Sequence, residues 1–268
     1  MNMALLDKPR IRQSFAAASA TYDQAAALQR RSAIDLMREA EQEGIRGTVL
    51  DLGCGTGNLA ELLLAARHKP DAVIALDIAA SMLEAARCKL NRKDGLQPAL
   101  HYVCADAERL PFADDSLDGI YSNLALQWCD RLEHVLADLK RMLKPGSPLL
   151  FSTFGPKTLQ ELKSAWAEID ELPHVNAFHG EEELMRFLQA AGFSACRIRQ
   201  TLHMPRYASV VELMRELKQI GAHNVHLARP KNLTGKAKMQ AMYRAYERHR
   251  SEGTIPATFE ILIVSARA

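Results

Sequence analysis

The stretch VLDLGCGTGN, Val49 to Asn58, changes character half-way. Val49 to Leu52 is a short apolar run of the kind that forms a buried strand. Gly53, Gly55 and Gly57 then recur at alternate positions. Glycine lets a backbone turn sharply and approach a ligand closely. LAELLLAARH follows with helical character, and a helix N-terminus offers free N–H groups. A dinucleotide loop would read G-x-G-x-x-G and would need glycine at position 58, where this chain has Asn58. The stretch therefore reads as a strand–turn–helix ligand cradle with its own glycine spacing, or as a plain tight turn.

Outward from this loop the apolar runs repeat. AVIALDI ends near Asp77, LHYVCAD at Asp106, and LDGIYSNLA and PLLFSTF follow. SMLEAARCKL is a predicted helix with Ser81 as N-cap, and DRLEHVLADLKRMLKPG one that stops near Lys144. Strands that alternate with helices predict a parallel sheet covered on both faces. After Phe154 the rhythm changes. KTLQELKSAWAEI and GEEELMRFLQAAGF are helical, the second closed by Gly192; SACRIRQTLHM is a sixth strand and TFEILIVSAR the last. The fold class is α/β: a Rossmann-like, doubly wound, mostly parallel seven-stranded sheet with a helical insertion between the last two strands. The expected organisation is an N-terminal helical segment (1–47), a core (48–206), a helical lid (207–252) and a final core strand (253–268).

Two carboxylates stand at strand ends, where a doubly wound sheet opens its ligand crevice. Asp77 can accept both hydroxyls of a ribose; its bland alternative is a helix cap. Asp106 can pair with an adenine amino group, or be a loop acid.

The 268 residues can bury a sizeable core, and 48% hydrophobic with 25% charged residues is ordinary for a soluble protein. No apolar run approaches the ~18–20 residues that span a bilayer. MNMALLDKPRIRQSF lacks a secretory apolar stretch, although its cations leave an organelle presequence open. Five scattered cysteines without C-x-x-C suggest reduced thiols and a cytoplasmic location. Nine histidines without an H-x-x-x-H pair suggest no metal site. The net charge of +2 hides an asymmetry: Arg197 to Arg250 holds twelve Lys/Arg against three acids, a local +9 that leaves −7 elsewhere. Leu217 to Tyr246 has no carboxylate at all. Such asymmetry usually concerns a partner.

The glycine loop together with ALDIAASMLEAAR, CADAERLPFADDSLDGIYSN and LKRMLKPGSPLLFSTF, roughly residues 48 to 154, resembles the class I S-adenosylmethionine-dependent methyltransferases. The resemblance implies that Gly53, Gly55 and Gly57 wrap the methionine part of the donor. It also implies that Asp77 holds the ribose and Asp106 with Ala107 the adenine, and that Asp51, Met82 and Asn123 complete the donor site. SFAAASATYDQAAALQRRSA, SNLALQWCDRLE, MRELKQIGAHN and RPKNLTGKAKMQAM…IPATFEIL extend the likeness over nearly the whole chain. They resemble the malonyl-[acyl-carrier protein] O-methyltransferases of biotin synthesis.

That narrower resemblance implies methyl transfer from S-adenosylmethionine to the free carboxylate of malonyl-acyl carrier protein. It puts Tyr22 beside the methionine end of the donor, under the N-terminal cover; the bland reading of Tyr22 is a buried anchor. Asn123 is expected beside the methyl donor, and Gln127 and Trp128 line the acceptor pocket or pack their loop. A carboxyl group, which ordinarily titrates near pH ~4, is ionised at neutral pH and needs no general base. Arg215, His223, Asn224 and Arg229 are lid candidates for holding it, each alternatively a surface or packing residue. Lys231, Lys236 and Lys238 would dock the acidic carrier protein. The expected state is a monomer with no nucleic-acid or membrane partner, since the basic stretch carries only Tyr243 and Tyr246 as stacking groups and no nucleic-acid motif. Rival readings are another small-molecule carboxyl methyltransferase, a complex I assembly factor with protein-arginine hydroxylase activity, and a donor-binding protein without catalysis.

Overall fold

The computed structural model describes residues 6–91, 98–222 and 235–268. Three helices come first: α1 (Lys8–Ala18), α2 (Tyr22–Ala25) and α3 (Ala27–Glu43). The alternating part follows as β1 (Thr48–Leu52), α4 (Asn58–Leu64), β2 (Ala72–Asp77), α5 (Ala80–Leu90), β3 (Ala99–Cys104), β4 (Gly119–Asn123), α6 (Leu132–Met142) and β5 (Pro148–Phe154). Then come α7 (Gln160–Ala167), α8 (Glu181–Ala190), β6 (Ser194–His203), β7 (Arg206–Tyr207), α9 (Val210–Gln219), α10 (Lys236–Tyr246), β8 (Ile255–Pro256) and β9 (Phe259–Arg267).

Seven strands form one sheet in the order β3-β2-β1-β4-β5-β9-β6. Pairs from β3 to β5 are parallel, and β9 runs antiparallel to both its neighbours. The two-residue period of a strand divides the side chains between two cores. Leu50 and Leu52 of β1, Ile120 of β4 and Phe151 of β5 face one core, which α6 closes with the stripe Leu132, Val135, Leu136, Leu139 and Met142. Val49, Tyr121 and Leu150 face the other, against Leu36 and Met37 of α3 and Leu59 and Leu63 of α4. Burial on both faces is why these strands read as nearly continuous apolar runs. This is the Rossmann-like, doubly wound, mostly parallel seven-stranded sheet that the sequence predicts. β1 lies between β2 and β4, so the chain reverses its winding there and a crevice opens at the strands' C-terminal ends.

One helix start differs from expectation. Ala79, not Ser81, precedes α5, and Ser81 lies within the helix with its Oγ 3.4 Å from the Ala16 carbonyl. The turn after β2 is so short that the strand-end carboxylate of Asp77 accepts the Ala79 amide at 2.8 Å. The helix beginning at Asn58 is also shorter than LAELLLAARH suggests and ends at Leu64.

Antiparallel pairing sets His203 of β6 opposite Phe259 of β9. The chain therefore leaves the sheet and returns at one place. A two-stranded ladder, Arg206 with Pro256 and Tyr207 with Ile255, closes the base of that excursion. Two-residue strands carry no hydrophobic period, so the sequence holds no sign of it. Above the ladder, Leu213 and Leu217 of α9 and Met242 and Tyr246 of α10 pack with Leu162 and Trp166 of α7 in a third core. No helix among the described residues is long and apolar enough to cross a membrane.

Candidate active site

The glycine loop turns directly out of β1. Gly53, Gly55 and Gly57 all have positive φ, at +75°, +53° and +86°. The Gly53 and Cys54 amides donate to the Leu76 carbonyl at 2.8 and 2.9 Å, which binds the loop to the end of β2. A Cβ on Gly53 would overlap that of Ala125, whereas one on Gly55 would meet no protein atom within 4 Å. Gly53 is thus required by packing, and Gly55 leaves the space over the loop clear. The buried Asp77 accepts the Gly55 amide at 2.9 Å as well as that of Ala79. Burial raises its pKa although these amide bonds favour the charge. Asp77, Met82, Asp106, Ala107, Gly53 and Gly55, named as candidates from the sequence, line one crevice.

Asp51 is elsewhere. It shares the strand parity of Val49, which turns it away from the crevice towards α4 and the Ala60 amide. It is fully buried, its oxygens make no hydrogen bond of normal geometry, and burial pushes its pKa up to about 8. Gly57 packs under the loop against Ala86 and Leu90 and does not line the crevice.

The N-terminal helices cover the crevice with Lys8, Ile11, Phe15 and Tyr22. The Lys8 Nζ donates to the Trp128 carbonyl at 3.0 Å and lies 3.4 Å from Asp106 and 3.2 Å from Glu108. It thereby pins α1 to the far wall. Phe15 meets the Trp128 ring edge-on at 5.4 Å. Thr56 of the glycine loop donates to Asp23 at 2.5 Å, which draws α2 and Tyr22 onto the loop. Burial, then the charges of Asp77 and Asp23, push the Tyr22 phenol well above its ordinary pKa, so it keeps its proton. The free space beneath this cover is about 80 Å³. Pockets for drug-sized ligands hold roughly 300–1,000 Å³, so the cover must yield to a ligand of nucleoside size.

At the end of β4 two amide side chains bind to the protein itself. The Asn123 amide donates to the Gln29 carbonyl at 3.0 Å and accepts from Ser152 Oγ at 2.8 Å. Ser152 also receives Ser32 Oγ and the Leu124 amide, each at 3.0 Å. Asn123 lines the crevice, and one donated and one accepted bond of its amide help hold α3, β4 and β5 together. Gln127 donates to the Leu124 carbonyl at 2.6 Å and lines neither this crevice nor the cavity beside it. It braces its own turn. Its neighbour Trp128 lines both spaces.

The second space, about 440 Å³, lies between β5, α7, α9 and α10. Its walls include Phe154, Trp166, Phe178, Met214 and Phe259, with His174, Asn176 and Lys218 among its few polar groups. Of the lid candidates among the described residues, Arg215, Lys236 and Lys238 do not line it. Arg215 is exposed on α9 and Lys236 on α10, while Lys238 pairs with Asp170 at 2.8 Å. His223, Asn224, Arg229 and Lys231 lie outside the described residues. Sequence reasoning does not reach Lys8, Asp23, His174 and Asn176. Each depends on contacts between distant parts of the chain, and only HVNAF, with polar groups between apolar ones, offers a weak signal.

Comparison with known proteins bears on this pair of spaces. Residues 50–151 match the family described as a methyltransferase domain. A malonyl-[acyl-carrier protein] O-methyltransferase of Methylovorus sp. is 41% identical over 96% of this chain and 88% of its own length. The chain belongs to the malonyl-[acyl-carrier protein] O-methyltransferase family. The biotin biosynthesis bifunctional protein BioHC of Cellvibrio japonicus is 40% identical over 96% of this chain, which spans about half, 49%, of that longer relative. Among solved structures, the YcgJ protein of Bacillus subtilis shares the fold, with a TM-score of 0.64 at 16% identity over 88% of this chain and 97% of its own.

The cofactor of this family's reaction, S-adenosylmethionine, suits the residues of the crevice. Asp77 presents a buried carboxylate at the strand end, Gly55 keeps the loop surface open, and Met82 and Phe15 give apolar walls. Tyr22→Phe tests the one phenol in that lining. The hydroxyl has no hydrogen-bond partner among the described residues, so its loss is expected to leave the thermal midpoint nearly unchanged. Turnover should fall roughly 2- to 12-fold, the worth of one hydrogen bond. A lowered midpoint with normal turnover, measured on the same preparation, would make Tyr22 an anchor instead.

Proposed function

We propose that this chain methylates the free carboxylate of malonyl-acyl carrier protein, giving the methyl ester used in biotin synthesis. The observation that carries the reading is the 41% identity to a malonyl-[acyl-carrier protein] O-methyltransferase over 96% of the chain. The enzyme is an S-adenosylmethionine-dependent carboxyl O-methyltransferase. The cofactor, when bound, supplies an electrophilic methyl group on a sulfonium.

The chain's own residues then have mostly positional work. Asp77 would accept the ribose hydroxyls and Asp106 would meet the adenine. Tyr22 keeps its proton and stays neutral beside the donor's reactive end. The acceptor is already ionised, so no side chain has to remove a proton. Orientation of two reactants supplies on the order of 7–11 kcal/mol. Trp128, the wall shared by both spaces, is the residue on which that alignment would turn. Closure by α1 keeps water out and strengthens the orienting contacts. Strong pairing of the carboxylate would oppose the reaction, because its charge is neutralised in the transition state. A largely apolar acceptor cavity with few polar groups meets that requirement.

A cytoplasmic monomer fits this reading, and the segment 207–252 would act as its lid. Incubation with labelled S-adenosylmethionine and malonyl-acyl carrier protein, read by intact mass, tests the reaction. One added methylene on the malonyl but not the acetyl carrier is the expected result. Transfer to neither would overturn it.

The basic insertion would steer an acidic carrier protein. Lys236→Glu is the cleaner probe, since Lys238 is already paired with Asp170. Lys236→Glu is expected to raise the apparent KM for the malonyl carrier several-fold, with donor binding unchanged. The effect should shrink with salt, because exposed charges are screened within about 8–10 Å. A KM flat in both charge and salt would remove Lys236 from the docking face.

A further inference from the structure

The cavity between α7, α9, α10 and the end of β5 is larger than a malonyl group requires. At about 440 Å³ it falls in the range of drug-sized ligands, well beyond a three-carbon acid. Its polar groups are few and unevenly supported. His174 is fixed on two sides: its ring stacks on Trp166 with centroids 3.6 Å apart, and its Nε2 lies 2.7 Å from Asp170. Lys238, and then His174, hold the pKa of Asp170 down to about 2, so that carboxylate stays charged and the clamp is permanent near neutrality. Asn176, two residues on, is only 8% exposed, and its Oδ1 is buried with no hydrogen-bond partner among the described residues. A buried carbonyl oxygen without a partner costs the fold about 1–3 kcal/mol.

We propose that this cavity receives the amide-bearing prosthetic arm of the acyl carrier protein, and that Asn176 hydrogen-bonds an amide of that arm. The inference rests on the carrier-protein reading above and deepens it. An arm of alternating methylene and amide groups matches apolar walls interrupted by a few hydrogen-bonding side chains, Asn176 and Thr158 among them. Lys218 is the one Lys or Arg among the described lining residues. A plain fatty chain would leave the Asn176 amide unsatisfied. Lys218 suits instead the phosphodiester by which such an arm joins its protein. Trp128, at the boundary with the donor crevice, then marks the end at which the acyl group arrives. Asn176 is a positioning residue, and His174 with its Asp170–Trp166 clamp keeps the wall beside it rigid.

Direct binding tests this without any methyl transfer. The parent protein and the variants Asn176→Leu and Asn176→Ala are titrated with acyl carrier protein bearing its arm and with the same protein lacking it. The parent should favour the arm-bearing form, and both variants should lose about fivefold of that preference. Binding of the armless form and of S-adenosylmethionine should not change. The thermal midpoint of Asn176→Leu should hold or rise, because an unpaired buried amide is gone. A parent indifferent to the arm, variants that keep the preference, or a loss of preference only together with a fallen midpoint in both variants would each overturn the proposal. Failure of methylation would not, since the titration reads the arm alone.

Discussion

Asp77→Asn is expected to weaken S-adenosylmethionine binding by at least about 100-fold in calorimetry, with the fold intact. The carboxylate lines the crevice while accepting the Gly55 and Ala79 amides at 2.9 and 2.8 Å. Two ribose hydroxyls would add charge-assisted bonds of about 1.5–3 kcal/mol each, and every 1.4 kcal/mol is tenfold in affinity. Asparagine keeps the shape and one acceptor oxygen but turns an NH2 group towards donors that need an acceptor. The new NH2 group would face the Gly55 or Ala79 amide and cost the fold about 1–3 kcal/mol, offset in part because burial already disfavours the native charge and raises its pKa. Parent-like binding by the variant would remove Asp77 from the donor site.

The second large effect separates two glycines that look alike in the sequence. Gly53→Ala should damage the fold. Its φ is +75°, and a Cβ there overlaps the Cβ of Ala125. Left-handed backbone costs about 1–2 kcal/mol and overpacking about 1–3 kcal/mol. At ~2–4 °C per kcal/mol for a chain of this size, the melting midpoint should drop on the order of 10 °C. Gly55→Ala should do the opposite. Its φ of +53° is milder, and its Cβ meets nothing within 4 Å. Stability should fall by about 1 kcal/mol, while donor affinity falls at least about tenfold because the methyl occupies the cleared space. Calorimetric melting and donor titration on both variants check the contrast. Equal behaviour would mean that the loop plays one role, not two.

The sheet is legible in the sequence because its signals are local. Apolar runs of five to seven residues, a glycine turn and a helix stripe each lie within one window of sequence, and Asp77 and Asp106 follow from where the runs end. Asp51 escapes such reasoning because facing depends on strand parity, and parity has meaning only once the layers on each side are known. Asn123 lines the crevice and Gln127 stands in the turn beyond it, where Gln29, Ser152 and Leu124 engage their amides. Those partners lie up to 94 residues away. Arg215 and Lys238 stand away from the cavity for a related reason. Charge density shows that a surface is basic, but not that Lys238 is turned to Asp170 or that Arg215 faces outward. Lys8 and Asn176 carry no pattern of their own, and only tertiary contact gives them a role.

The pairing of His203 with Phe259 has a consequence for how such a protein can diversify. Topologically, everything from Met204 to Thr258 is one oversized hairpin loop, entering and leaving the sheet side by side. A loop of this kind can lengthen, shorten or be exchanged at small entropic cost, since closure entropy grows only with the logarithm of its length. The glycine turn and the carboxylate beside it belong to an unbroken frame elsewhere in the chain. Selection can therefore redraw what the molecule greets at its mouth as a separable cassette, leaving the machinery for the methyl group inherited unchanged.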